Sequence, residues 1–385
     1  MKILYVTTIG RTMRFFEPLI RALVEAGHTV DIAANDASSR VPDGYRAMGC
    51  NVYRVDFSRS PLSPHNIRAA RQLKRVIENG CYDAVHCHTP VAAAVTRLVC
   101  RKYRKKTGLK VFYTSHGFHF YKGAPLQNWL VYYPVEWLCS FWTDTLLTIN
   151  REDYDLAERH MHARRTEFVP GVGFDYDRFA NASVDRAAKR RELGVPEDAF
   201  LLVSVGELNF NKNHSIVIRA LAKLNRPDLH YGIAGKGEME AELRQLADAL
   251  GVGDRVHLWG YRNDIPEVLK AADIDVFPSI REGFGLAAVE GMAAGLPLIC
   301  ADNRGTRMYA SEYKRGDFSG MCTGLEMYAA AIERLADDRQ LYHEMALIGP
   351  RTAEQFSVQR INRLMMEYIY GLSPSSENSA GTDRF

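Results

Sequence analysis

Pro278-Ser-Ile-Arg-Glu282-Gly-Phe-Gly285-Leu-Ala-Ala-Val-Glu290-Gly-Met-Ala-Ala-Gly295-Leu-Pro297-Leu-Ile-Cys-Ala301 is the stretch that decides the fold. A strand over Asp275–Phe277 leads into it, and the turn Glu282–Gly285 follows. A helix then runs from about Leu286 to Ala294, with Gly295 placed to cap it. Pro297 stops any continuation, and Leu298–Cys300 returns as a buried strand. Strand, glycine turn, helix and strand in succession are one repeat of an α/β sheet.

The stretch also carries chemistry. Its glycines let backbone N–H groups approach a ligand, and the helix N-terminus behind them is a natural seat for a phosphate. Glu282 lies just before the helix and Glu290 one to two turns inside it. A carboxylate beside a phosphate seat suits hydroxyl donors, as on a sugar or a ribose. Spacing alone therefore suggests a sugar nucleotide, and it equally suits a plain strand–turn–helix with surface glutamates.

Outward from this stretch the alternation continues in both directions. Met1–Thr8 is too short an apolar run for a leader and reads as a first strand. Thr7–Arg14 reads as a loop, Phe15–Ala26 as a helix that Gly27 stops, and His28–Ala33 as a second strand. Gly10 sits at the first turn, where Arg11 and Arg14 suit a phosphate or an acceptor. A single glycine is not a dinucleotide fingerprint, however. A basic helix Asn66–Asn79, strand Ala84–His88, helix Val91–Arg101 and strand Val111–Ser115 follow. The second half has strands Phe200–Val205, His230–Ala234 and Arg255–Trp259, with helices Ser215–Leu224 and Met239–Leu250. Leu325–Leu335, Gln340–Met345 and Gln359–Tyr370 read as further helices. Strands alternating with helices imply mostly parallel sheets, and 385 residues suffice for two domains. Val169-Pro-Gly-Val-Gly173 suits a hinge between them. Ser373–Phe385 is polar and Ser-rich and reads as a disordered tail.

Apolar content of 46% and charged content of 25% are those of a globular protein. Leu126–Ile149 is the most apolar long region, but Pro134, Glu136 and Asp144 interrupt it as a membrane span. Seven scattered cysteines show no disulfide spacing, which suits a reducing cytoplasm. His86-Cys87-His88 looks metal-like, but strand neighbours point to opposite faces and do not converge. The net charge of +3 hides an asymmetry: residues 1–180 carry 25 Lys+Arg against 17 Asp+Glu, a balance of +8. The seven basic residues of Arg97–Lys110, with no acidic one, suit either a solvated helix end or an anionic membrane surface. No aromatic interleaving accompanies them, so nucleic acid is not expected. The Trp- and Tyr-rich Trp129–Trp142 reads as core for the most part, with some interface contact.

Ligands of open α/β sheets bind at the carboxyl edge, so loops after strands are the site candidates. Phe200–Val205 is followed by Gly206-Glu207-Leu-Asn-Phe-Asn-Lys212-Asn-His214, where a lysine suits a diphosphate at a helix tip. Gly235-Lys-Gly-Glu238 and Gly260-Tyr261-Arg262-Asn263 are weaker candidates of the same kind. His116-Gly117 follows the strand Val111–Ser115. Asp273-x-Asp275 sits inside a buried-looking strand rather than a metal-binding loop.

These motifs together resemble the retaining GT-B glycosyltransferases of family 4. The Glu282-x7-Glu290 stretch carries the resemblance, with Pro-Ser before it, Gly-Phe-Gly within and Ala-Gly-x-Pro after. His116-Gly-Phe-His-Phe-Tyr-Lys-Gly, Trp129-Leu-Val-Tyr-Tyr-Pro-Val-Glu and Thr143-Asp-Thr-Leu-Leu-Thr-Ile-Asn-Arg-Glu-Asp-Tyr154 look like its capsule and exopolysaccharide branch. The resemblance implies two Rossmann-like domains with a cleft between them, 1–172 and 173–356, and a last helix, 357–371, crossing back to the first. It implies a nucleotide-sugar donor, UDP-linked by expectation, a lipid-linked acceptor and no metal or other cofactor. The location it implies is cytoplasmic, peripheral on the inner face of the plasma membrane.

By the same resemblance, Glu282 contacts the donor sugar, Glu290 the ribose, and His116 lies by the donor sugar. His116, Glu282 and Lys212 are then the catalytic residues. Gly10, Glu207, Lys212, Gly235, Tyr261, Arg262, Gly283, Phe284, Gly285, Leu286 and Glu290 form the donor site. The family's arginine five residues before its lysine is Glu207 here, a charge reversal. Arg304 and Arg307 are candidates to replace that cation. The reversal also keeps a catalytically impaired partner subunit open as a reading. A UDP-sugar 2-epimerase of the same architecture is another, which the Glu282-x7-Glu290 spacing argues against.

Overall fold

The structure, a computed structural model, describes residues 1–311, 313–316 and 318–371. The segment expected as a tail, Ser373–Phe385, lies outside the described residues. Two compact units divide the chain: Met1–Gly173 with the chain from Val358, and Phe174–Ser357.

In the first unit seven strands form one sheet: β1 (Lys2–Ile9), β2 (Thr29–Asn35), β3 (Val52–Arg54), β4 (Ala84–His88), β5 (Lys110–Ser115), β6 (Thr145–Thr148) and β7 (Arg165–Phe168). Their order is β3-β2-β1-β4-β5-β6-β7 and every pair is parallel. Side chains alternate between two cores. Leu4, Val6, Val85 and Cys87 enter one, and Ile3, Tyr5, Ala84 and Phe112 the other. Both faces are covered, as parallel sheets require, and this explains runs that are apolar rather than alternating. The last helix, Val358–Tyr370, lays Ile361, Met365 and Ile369 into the second of these cores. Tyr370 closes the helix end. Its hydroxyl bonds the Tyr5 hydroxyl at 2.7 Å and His86 Nδ1 at 2.9 Å, all three buried.

In the second unit the sheet comprises β8 (Phe200–Val205), β9 (Leu229–Ala234), β10 (Val256–Gly260), β11 (Ile274–Phe277), β12 (Leu298–Ala301) and the short strand Met321–Cys322. The order is β10-β9-β8-β11-β12 and then Met321–Cys322, again parallel throughout.

Most expected elements recur with ends shifted by a residue or two; Gln340–Met345 is only the first part of a longer helix, Arg339–Glu354. Thr7–Arg14, read as a loop, ends in a 3-10 helix, Gly10–Phe16. The polar stretch Ala180–Val195 holds the helix Arg186–Glu192, capped by the Asp185 side chain, and a short helix capped by Asp175, Tyr176–Ala180, leads into it. Strands β3, β6 and β7, of three or four residues each, were not among the expected elements. Helix Leu126–Ser140 runs through Pro134. That proline is exposed, so its ring stands on the surface side of the helix. Within the basic segment Arg97–Lys110, Arg97 is buried against Glu136 and Arg104 is tied to Asp144 at 2.6 Å, so neither stands among the exposed cations that the sequence suggested. Among the described residues no helix is long and apolar enough to cross a membrane. All seven cysteines are free thiols.

Candidate active site

Strand order reverses direction at β8 and β11 in the second sheet, the switch point where the crevice of an open α/β sheet lies. The loops leaving those two strands are the two singled out from sequence, 206–213 and 278–285. Backbone and side chains tie them together. Ile280 N–H donates to the Asn211 carbonyl at 2.8 Å, and Asn211 Nδ2 to the Arg281 carbonyl at 3.0 Å. The third loop, after β12, joins through Asn303 Nδ2, which donates to the Ser279 carbonyl at 2.8 Å.

This bracing brings Lys212 and Glu282 together. Lys212 Nζ lies 2.7 Å from Glu282 Oε1, both side chains about one-fifth exposed, and 4.9 Å from the Phe277 ring centre. Neither loop alone contains the pair. Between them an ammonium and a carboxylate stand half-sheltered at the mouth of the helix Leu286–Ala293. Gly285, at φ 91°, is the N-cap of that helix and offers no side-chain cap to its first N–H groups. A Cβ there would lie 2.6 Å from the Tyr309 hydroxyl, so glycine is required by both conformation and space. Gly283, Phe284 and Leu286 flank this N-terminus, and its uncapped donors and positive end suit an anion. Glu290, half-buried on the same helix, has its carboxyl pushed up to about 7 by burial, which Arg178 only partly offsets.

The remaining candidates of this unit are placed less directly. Glu207 is exposed and accepts a hydrogen bond from Asn209 Nδ2 at 3.1 Å, so its carboxylate stays at its own end of the loop. Gly235 is explained by packing, since a Cβ there would lie 1.7 Å from the Gly206 carbonyl oxygen. Tyr261 is exposed, whereas Arg262 is held by Asp264 at 2.8 Å and by Glu192. Arg304 is buried, and Arg307 donates to Asp302 at 2.6 Å. Asp273 precedes β11 rather than lying within it, where it binds Arg190 and the Leu201 N–H, both at 2.6 Å, and Arg186. Asp275 is buried in the strand, where desolvation pushes its carboxyl well up. Both aspartates are structural.

His116 and Gly10 belong to the first unit. His116 Nε2 and His88 Nδ1 are 3.2 Å apart, one donating to the other, and the His88 ring stacks on Phe16 at 4.1 Å. Burial lowers His116 to about 4, so the imidazole is neutral. Of the residues in His86-Cys87-His88, both histidines point to one face with ring centres 4.3 Å apart, and Cys87 points to the other. His88 therefore supports His116 through a second-strand contact that sequence reading missed. The signal was its spacing of two from His86. Gly10 packs against the chain at 39–41, where a Cβ would come within 2.1 Å of the Ser39 carbonyl oxygen. That contact by itself requires glycine there. Among the described residues no group of three or more His, Cys, Asp or Glu is arranged to hold a metal ion.

Comparison with known proteins agrees with this geometry. Residues 185–351 match the family Glycosyl transferases group 1, and residues 13–171 match the Glycosyl transferase 4-like domain. A Bacillus subtilis (strain 168) protein described as glycosyltransferase EpsD is 39% identical over 364 residues, covering 93% of each chain. The UDP-Gal:alpha-D-GlcNAc-diphosphoundecaprenol alpha-1,3-galactosyltransferase of Escherichia coli is 28% identical over 79% of each. The crystal structure of Anabaena HepE in complex with UDP and glucose shares the fold, with a TM-score of 0.75 at 21% identity, over 97% of this chain and all of that one.

Proposed function

The chain belongs to the GT-B glycosyltransferases, with a 4-like first domain and a group 1 second domain, and we propose that it transfers a sugar from a UDP-sugar to a lipid-linked saccharide with retention at the anomeric carbon. The process it serves is cell-surface polysaccharide synthesis, on the cytoplasmic side of the membrane. The observation that carries the reading is the Lys212–Glu282 pair beside an uncapped helix N-terminus at the sheet's switch point. The E. coli relative, named for transferring galactose from UDP-Gal to an alpha-D-GlcNAc-diphosphoundecaprenol acceptor, supports the substrate classes. Retention follows the likeness of Glu282-x7-Glu290 to retaining members.

The donor diphosphate lies on the Gly283–Gly285 tip and on Lys212, and the sugar hydroxyls lie on Glu282. The bond from the anomeric carbon to the diphosphate oxygen breaks, and charge develops on that oxygen. Fixed N–H donors and the ammonium stabilise that charge without requiring a metal. The acceptor hydroxyl attacks on the same face and its proton passes to the departing phosphate. His116, whose imidazole burial keeps neutral at physiological pH, is by the family resemblance the first unit's candidate for contact with the sugar.

Purified protein incubated with UDP-sugars tests this. UDP released only when a lipid-linked acceptor is present is the expected result. Epimerised donor supports an isomerase instead. Tight UDP binding with neither product supports an inactive partner subunit, the reading that Glu207 keeps open.

Glu290 adds a pH signature. Ribose hydroxyls donate to a carboxylate, so the ionised form is the binding form, and its carboxyl sits at about 7 in the free protein. UDP affinity by calorimetry is expected to weaken as pH falls through that value, by up to about tenfold per unit. Above it the affinity should level off. A flat profile would remove Glu290 from the ribose.

A further inference from the structure

We propose that His88 is a positioning residue for His116: it donates from Nδ1 to His116 Nε2 and so fixes the proton of His116 on Nδ1, which makes His116 a hydrogen-bond donor to a sugar or phosphate oxygen of the substrate. What that N–H binds rests on the contact with the sugar proposed above, whereas the place of the proton rests on the first unit alone.

His86 and His88 share one face of β4, two residues apart, and His116 follows the neighbouring β5. They differ in how their nitrogens are used. Both nitrogens of His86 are partnered, Nδ1 with the Tyr370 hydroxyl at 2.9 Å and Nε2 with the Thr114 hydroxyl at 2.8 Å. That ring fastens the last helix to the sheet. His88 is fully buried and meets His116 at its Nδ1. Its Nε2 is buried with no partner.

The setting of the ring decides which nitrogen of His88 bears the proton. Phe16, His86 and Tyr5 pack around it with ring centres 4.1, 4.3 and 5.5 Å away. The cavity it lines is walled chiefly by Phe15, Phe16, Leu19, Ile149, Ile361 and Met365. An imidazolium does not persist in such surroundings, and burial, helped by His86 and His116, holds His88 well below its usual value. A neutral ring with its proton on Nε2 would bury an N–H that nothing accepts. With the proton on Nδ1 only a lone pair goes unmet, and buried acceptors are left unpaired more often than buried donors. The Nδ1–H then donates to His116 Nε2, 3.2 Å away, which must be bare. His116 is itself neutral, so its proton stands on Nδ1.

His116 is the partly exposed member of the cluster. Its Nδ1–H meets a ligand as a donor and takes up no proton there. It therefore suits a hydroxyl or phosphate oxygen and does not act as a base at that nitrogen. Without the N–H of His88 nothing holds the tautomer, and the ring presents a donor or a lone pair by turns.

Long-range proton–nitrogen NMR on the full chain, labelled in histidine, reads the tautomer directly, with the His116 signals identified by their loss in His116→Gln. His116 is expected in the Nδ1–H form. His88→Leu removes the donor and keeps apolar packing, and His88→Asn, of similar size, retains an N–H near the position of Nδ1. In His88→Leu the His116 signals should move toward the Nε2–H form, and donor kcat/KM should fall by roughly tenfold, the worth of one hydrogen bond. His88→Asn should restore most of the tautomer and of kcat/KM. Should His88→Leu fail to fold, the wild-type tautomer and His88→Asn still decide. An Nε2–H form of His116 in the wild type overturns the proposal, as does an Nδ1–H form that persists in His88→Leu. So do equal losses of kcat/KM in the two variants, the mark of a packing role alone. The expected tautomers in a protein that transfers no sugar would sustain the positioning and refute the transferase reading, so the two fail separately.

Discussion

Glu282→Ala is expected to lower turnover by about 10²- to 10³-fold while UDP affinity holds or tightens. In the free protein Glu282 and Lys212 neutralise each other across 2.7 Å. In the proposed reaction the entering donor turns the ammonium to its diphosphate and releases the carboxylate to its sugar. Removing the carboxylate deprives the sugar of its acceptor, but it leaves the ammonium more available to phosphate. The expected signature is thus a loss in kcat with no loss in UDP binding. Alanine keeps the Cβ, and a solvent-touching pair about one-fifth exposed contributes only about 1 kcal/mol, so the melting temperature should move by a few degrees at most. UDP release, calorimetry and a thermal melt decide it together. Near-normal turnover would defeat the assignment of Glu282.

Lys212→Met is expected to fail in the opposite way. The apolar stem still packs near Phe277, but the ammonium paired with Glu282 is gone. Charge on the leaving diphosphate then meets a bare carboxylate. UDP affinity should fall by roughly 10- to 100-fold and turnover by about 10²-fold or more. Adding Glu282→Gln should restore part of the UDP affinity, because the repulsion goes with the charge. Additive losses would show that the two residues act separately, contrary to their contact. Arg304→Ala and Arg307→Ala, assayed alongside, measure what Glu207 costs the site. A raised donor KM or lowered turnover assigns the missing cation to them, and unchanged kinetics removes them.

Much of the candidate site was legible beforehand because it is local. Gly285 and the helix behind it need only one strand–turn–helix, whose residues are consecutive. Glu290 follows from helical spacing along the same segment. His116 was found by its place after a strand, yet the residue that supports it, His88, lies 28 positions away on the adjoining strand. Gly10 and Gly235 show the converse. Both looked like ligand glycines, and both are demanded by a neighbouring carbonyl oxygen. A lone glycine in a sequence does not say whether the close approach comes from a ligand or from the chain itself.

Composition and periodicity determined the α/β class and the parallel sheets, and the Glu282-x7-Glu290 motif determined the family. These rest on short-range preferences that a linear chain displays. Two things only the tertiary structure decided. Every buried strand reads alike, so nothing in the chain says that β8 adjoins β11. That adjacency is what brings Lys212 to Glu282 across 70 residues. Helix Leu126–Ser140 carries large apolar side chains on every side, so its pattern has little phase. The phase is set when Glu136 finds Arg97 in the core, and that one buried pairing turns Leu126, Leu130 and Leu138 outward.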